Sequence, residues 1–230
     1  MANIQEGIIF VQAKGFTVYH PSFPTGNLFT FSQRYIKDLD ILEKAGFEDS
    51  VSTWFVTLHI PLSNFIMILS DSVYFEKDIM QADIQKQAEM TKAFLETVPF
   101  EHVLTKTFPI QNGAKVIAAN KDFCDLMITA IRKQKHTVES VVPAVIFGIF
   151  GVPVDIKDSG LSDVAVSLLF RNYSQMKQQG FDIGQRVIAG PGATMQKSQG
   201  EKEKTNLPYL LGFFFLLIII LVIVIIKSRG

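Results

Sequence analysis

One cysteine in 230 residues, Cys124, leaves no intrachain disulfide to be made and agrees with a reducing compartment. Neither sign of charge predominates: 22 basic and 22 acidic residues give a formal net charge of zero, which excludes the electrostatic footprint of a nucleic-acid binder. Histidine is also scarce. His20, His59, His102 and His136 stand far apart, and none has metal-ligand spacing to Cys124 or to a close carboxylate. No G-x-x-x-x-G-K-[ST] loop is present to cradle a phosphate, and Gly190-Pro191-Gly192, with no strand before it, reads as a spacer. Cys124 adjoins the apolar face of a helix and reads as a small core residue, since no Cys–His arrangement follows from the spacing. The sequence therefore carries no expected catalytic, cofactor-binding or metal-binding residue.

Charge is absent altogether from Leu207 to Ile226, a run of twenty residues. At 1.5 Å per residue such a run spans about 30 Å, the hydrocarbon layer of a bilayer, and Phe213 to Ile226 is apolar on every side. A single transmembrane helix over 207–226 is expected, with Pro208 tolerated in its first turn, Tyr209 at the headgroup boundary, and Lys227 and Arg229 in a short tail, 227–230. The opening MANIQEGIIFVQAKGF has an apolar stretch of only about five residues, broken by Gln12 and Lys14, which is too short for a secretory signal. The expectation is a domain held at the membrane on its cytoplasmic side. Residues 181–206, with four glycines and many small or charged residues, read as a flexible linker. That leaves 1–180 as one α/β domain.

Within the domain, Ile8-Ile9-Phe10-Val11 and Phe16-Thr17-Val18-Tyr19 flank Lys14-Gly15 as a hairpin, and Leu28 to Phe31 reads as a third strand. Ile36, Leu39 and Leu42 have near-helical spacing ahead of Ala45-Gly46, so a short helix is expected over Tyr35 to Lys44. Phe65 to Leu69 reads as a central strand forming a hairpin with Val73 to Ile79. A helix over Ile84 to Val98 stops at Pro99, and Val103 to Phe108 pairs with Lys115 to Ala119 around Gln111-Asn112-Gly113. Asn120 then caps a helix with Phe123, Leu126, Met127, Ala130 and Ile131 on one side. Val138 to Val142 follows, implying a parallel pair joined across that helix. A short apolar helix to Phe150 and an amphipathic one from Leu161 to Met176 complete the domain. The charges Arg132, Lys133 and Lys135 read as a solvated helix end, and Trp54, Phe55 and Leu58 as packing of a short helix.

The segment Asn64 to Gly148 resembles the actin-like cytoplasmic domains of type IV pilus PilM and type II secretion GspL proteins. The matching pieces are the strand pattern of Phe65 to Ile79, the helix end Ala93 to Phe100, the strand end Val116 to Asn120, and the V-x-x-x-x-P turn of Val138 to Pro143. The resemblance implies a mixed sheet forming part of an actin-like (ribonuclease H-like) fold. It also implies a non-catalytic scaffold at the bacterial inner membrane that binds PilN/PilO-like or GspM-like platform proteins and an assembly ATPase, with a homo-oligomer left open. Nucleotide-binding relatives carry an Asp-x-Gly turn in the opening hairpin, where this chain has Ala13-Lys14-Gly15. Asp182-Ile183-Gly184 has the right letters but follows a helix. An actin-like ATPase and an unrelated C-terminally anchored adaptor remain the alternatives.

The anchor has a direct test. The full chain is expected in the membrane fraction and to resist alkaline extraction, and a chain ending at Asn206 is expected in the soluble fraction; equal partitioning of the two would remove the anchor.

Overall fold

A computed structural model describes residues 4–152, 160–183 and 187–188. The chain divides into two compact units, Met1–Met195 and Gln196–Gly230, and every described residue lies in the first. Among the described residues no helix is long and apolar enough to cross a membrane, and the run 207–226 with its flanking tail lies outside them.

The first sheet begins with three antiparallel strands, β1 (Gln5–Gln12), β2 (Gly15–Tyr19) and β3 (Asn27–Thr30). Gly15 has no alternative there, because a Cβ would collide with the Phe29 carbonyl oxygen across the ladder. Strand β6 (Ser63–Leu69) lies parallel to β1, and β10 (Thr137–Pro143) lies parallel to β6, giving the order β10-β6-β1-β2-β3. Between β3 and β6 the chain makes a two-residue-turn hairpin, β4 (Ile36–Lys37) and β5 (Asp40–Ile41), and helix α1 (Lys44–Leu58).

Opposed residues share a face, so the register divides the core in two. Phe16, Val11 and Leu69 fall on one side with Phe65, where Phe55 of α1 meets Phe16 and Phe65 at 6.3 and 6.1 Å. Helix α3 (Lys121–Arg132) packs beside α1 on that side, burying Phe123, Cys124, Leu126, Met127, Ala130 and Ile131. The opposite side carries Phe10, Tyr19 and Ile66. It is covered by α4 (Ile146–Ile149), α5 (Asp163–Arg171) and α6 (Tyr173–Lys177): Phe147 stacks on Phe10 at 6.2 Å, and the Tyr173 hydroxyl donates to the Asn64 carbonyl at 2.9 Å.

A second sheet has the order β11-β8-β9-β7: β7 (Tyr74–Ile79), β8 (His102–Ile110) and β9 (Gly113–Asn120) are inserted between β6 and α3, and β11 (Val187–Ile188) joins from beyond α6. Its outer face has a separate core, where Phe94, Leu95 and Val98 from α2 (Ile84–Leu95) and the turn after it meet Ile79, Val103, Val116 and Ala118. Its inner face contributes Leu104, Ile117 and Ala119 to the main core.

Several sequence expectations are corrected by this arrangement. Within the helix expected over Tyr35 to Lys44, residues 36–41 form the β4–β5 hairpin and Lys44 opens α1: Asp38 and Leu39 both take positive φ (50° and 67°), the geometry of a tight hairpin turn, with Ile36 and Leu39 both buried. Their three-residue spacing imitates helical periodicity. Gly46, read as a helix end, lies in the first turn of α1, and its N–H donates to the capping carboxylate of Glu43 at 2.8 Å. Strand β7 makes no hairpin with β6, both of whose edges are taken by β1 and β10, and pairs with β9 instead. For the same reason β9, already flanked by β7 and β8, is not the parallel partner of β10. The helix expected from Leu161 to Met176 is broken at Asn172, whose side chain donates to the Leu168 carbonyl at 2.8 Å. Beyond residue 180, Phe181 is buried, its N–H donates to the Val141 carbonyl, and Val187–Ile188 pair with β8.

Asn120 ties three of these elements together. Its Oδ1 accepts the Phe123 N–H at 3.1 Å as the cap of α3, and its Nδ2 donates to the carbonyl of Leu39 at 3.3 Å. Losing a cap and a buried donor together costs about 2 kcal/mol. Asn120→Ala is expected to lower the urea midpoint accordingly with an unchanged slope, and Asn120→Ser, which can still cap, by about half as much.

Candidate functional site

The turn between β1 and β2 opens onto a cleft of about 380 Å³ bordered by Gln12, Lys14, Gly15, Leu28, Thr30 and Ser72. A second cleft of about 250 Å³ shares Lys14 and Thr30 and reaches Lys37 and Asp38 of the β4–β5 turn. The peptide of the turn is already engaged: the Ala13 N–H donates to Ser72 Oγ at 3.2 Å, and the Lys14 carbonyl accepts the Phe31 N–H at 2.8 Å. Lys14 is the cation both clefts share.

A second constellation lies at the other end of the sheet. Buried His20, at the end of β2, and buried His136, before β10, flank Ser63 at the start of β6. The Ser22 N–H donates to His20 Nδ1 at 3.1 Å, so the ring proton sits on Nε2, 2.9 Å from Ser63 Oγ. The Ser63 hydroxyl in turn donates to the Pro61 carbonyl. The Ser63 N–H donates to His136 Nδ1 at 3.3 Å. The Ser63–His20 pair has the separation of a nucleophile and its base but the wrong proton placement, because His20 donates to the hydroxyl it would have to deprotonate. Phe65 lies against both rings, Phe55 against His136 and Phe23 against His20. Burial holds both imidazoles below the usual histidine pKa, and the charge of His20 would lower His136 further.

The other singled-out residues are dispersed. His59 takes the left-handed position closing α1, and His102 pairs with Asp122 at 3.0 Å on the surface. Among the described residues no group of three His, Cys, Asp or Glu is placed to hold a metal ion. Lys133 is drawn from the basic cluster onto Glu48 and Asp49 of α1, at 2.6 and 3.7 Å. Trp54 stands edge-on to Phe16, Phe29 and Phe55 at 5.4 to 5.5 Å. Asp182 and Ile183 follow α6, and Gly184 lies outside the described residues, as do Gly190-Pro191-Gly192. The His20–Ser63–His136 constellation was missed in the sequence, where its members are 43 and 73 residues apart.

No family model and no curated protein matches the sequence. Among solved structures, the chain is similar to a PilM-PilN type IV pilus biogenesis complex, at 14% identity over 64% of this chain and 51% of that one, with a TM-score of 0.43. It is also similar to the cytoplasmic domain of EpsL, an inner membrane component of the type II secretion system of Vibrio cholerae, at 10% identity over 62% of this chain and 56% of that one, with a TM-score of 0.37. The chain thus spans about half the length of these two solved chains. The two machines are those whose proteins the segment Asn64 to Gly148 resembles.

Cys124 is fully enclosed, and burial, with the nearby charge of Asp125 second, pushes its thiol up to about 12. A thiol held protonated is a poor nucleophile. Iodoacetamide at mildly alkaline pH is expected to leave the folded chain unlabelled and to label it fully in denaturant; rapid labelling of the folded chain would contradict the enclosure.

Proposed function

We propose that this chain is a non-catalytic platform protein of a type IV pilus or type II secretion-like machine, held at the inner membrane by residues 207–226 and binding other components through its α/β domain. The observation that carries the reading is the strand order β10-β6-β1-β2-β3, three antiparallel strands continued by two parallel ones. A mixed sheet of this kind is what the resemblance to actin-like domains implies, and the segment resembling PilM and GspL proteins runs through β6, the strands β7 to β9, α3 and β10 of this arrangement. The Lys14 turn, with its amide already held by Ser72, supports binding without nucleotide hydrolysis. In this reading the partners are PilN/PilO-like or GspM-like membrane proteins and a cytosolic assembly ATPase.

The test is a pull-down of tagged full-length chain from detergent-solubilised cells, with partners identified by mass spectrometry. Recovery of platform proteins and their ATPase is the expected result, and a reproducible set containing neither would sink the assignment and leave an anchored adaptor of another kind. Mg-ATP separates the remaining alternative. A nucleotide present at about 100 times its dissociation constant stabilises a protein by about 2.7 kcal/mol. No shift of the thermal midpoint is expected, whereas a shift of that size would support an actin-like ATPase.

A further inference from the structure

Two neutral imidazoles hold the corner where β2 ends and β6 begins, and both do so in the same way. His20 Nδ1 accepts the Ser22 N–H and His136 Nδ1 accepts the Ser63 N–H. In a neutral ring only the unprotonated nitrogen can accept, and it is also the atom that takes up a proton. Protonating either ring therefore breaks its backbone bond and turns two N–H groups toward each other in a buried place. We propose that His20 and His136 form a proton-operated latch on the Ser63 corner, closed while both Nδ1 atoms are unprotonated and opened by proton uptake below neutral pH.

Among the described residues no counter-charge is bonded to either ring. On the surrounding described elements the charged or titratable groups are Glu6 on β1, Tyr19 on β2, Lys135 and Glu139 beside and on β10, Asp163 and Arg171 on α5, and Tyr173 and Lys177 on α6. None of these is bonded to either ring. Glu139 is taken by Lys177 at 2.8 Å, and Tyr173 donates to the Asn64 carbonyl. Helix α1 presents Phe55 to His136 and carries no charge after Asp49, and β6 presents Phe65. The closed state thus binds fewer protons than the open one once the pH falls below the ordinary histidine value of about 6.5, and closure weakens in that direction. What the latch governs is local. The Ser22 amide belongs to the loop of residues 20–26, which forms one wall of a cleft of about 220 Å³ whose other wall is Val166 and Phe170 of α5. Releasing Ser22 and Ser63 frees that wall while the β8–β9 hairpin, in the other sheet, keeps its pairing.

Hydrogen exchange of the full chain in detergent, followed by mass spectrometry and corrected for the pH dependence of chemical exchange, tests this. Between about pH 7.5 and about pH 5.5, protection of peptides containing Ser22 and Ser63 is expected to fall by up to about tenfold per ring, with the β8–β9 peptides unchanged. His20→Asn and His136→Asn, whose amide oxygen can accept the same N–H without titrating, are expected to flatten the response. Unchanged protection at the Ser63 corner would overturn the proposal, as would an equal loss throughout the chain, which is global acid unfolding. Should the variants fail to fold, the imidazole titrations of the native chain decide by NMR: midpoints below those of His59 and His102 support the latch, and midpoints equal to theirs overturn it.

Discussion

Strand β6 has no exposed edge and no exposed face. Phe65 to Leu69 are all buried, β1 and β10 take both of its ladders, and α1 with α3 on one side and α4 to α6 on the other close over it. A strand in that position needs parallel neighbours reached by crossovers, and the crossovers supply the helices that cover it. Most of the domain follows from this one requirement. So does the polar corner at its start: a strand that enters the core at Ser63 must satisfy its first amide there, and the partner is a histidine instead of water.

The same saturation sends the next segment elsewhere. Once β6 is fully paired, β7 leaves the sheet through a single turn of 3₁₀ helix, Asp71–Val73, and the chain builds a second sheet with its own apolar core before returning through α3. The outer edge of that sheet is β7, which shows Glu76, Lys77 and Asp78 to solvent, with Lys115 of the neighbouring strand holding both acids at 2.9 and 2.7 Å. Two copies of such an edge in antiparallel register would set like charges against each other, so the strand is protected from pairing with itself.

Much of this was legible because it depends on local periodicity. Strand-like segments flanking Lys14-Gly15 and Gln111-Asn112-Gly113 marked β1, β2, β8 and β9, the i, i+3, i+4 series after Asn120 marked α3, and a continuous apolar run marked β6. The misreadings come from spacing shared by two structures or from edges already occupied. Ile36 and Leu39 lie three apart in a tight hairpin as they would in a helix, and nothing local to β7 says that its sequence neighbour has no free edge. The Ser63 corner was illegible for a third reason. Its geometry is made by three strands meeting, and isolated histidines at positions 20 and 136 give no sign of that meeting.

Strand β11 contributes only two residues to the edge of the second sheet, and it is the last described element before the chain continues toward residue 207. Among the described elements this two-residue ladder is the one nearest in sequence to the C-terminal side, and tension arriving at Ile188 meets it before the seven-residue ladder between β1 and β6. For a pull arriving at Ile188, two paired residues are a short seam that would part before the core behind it is loaded.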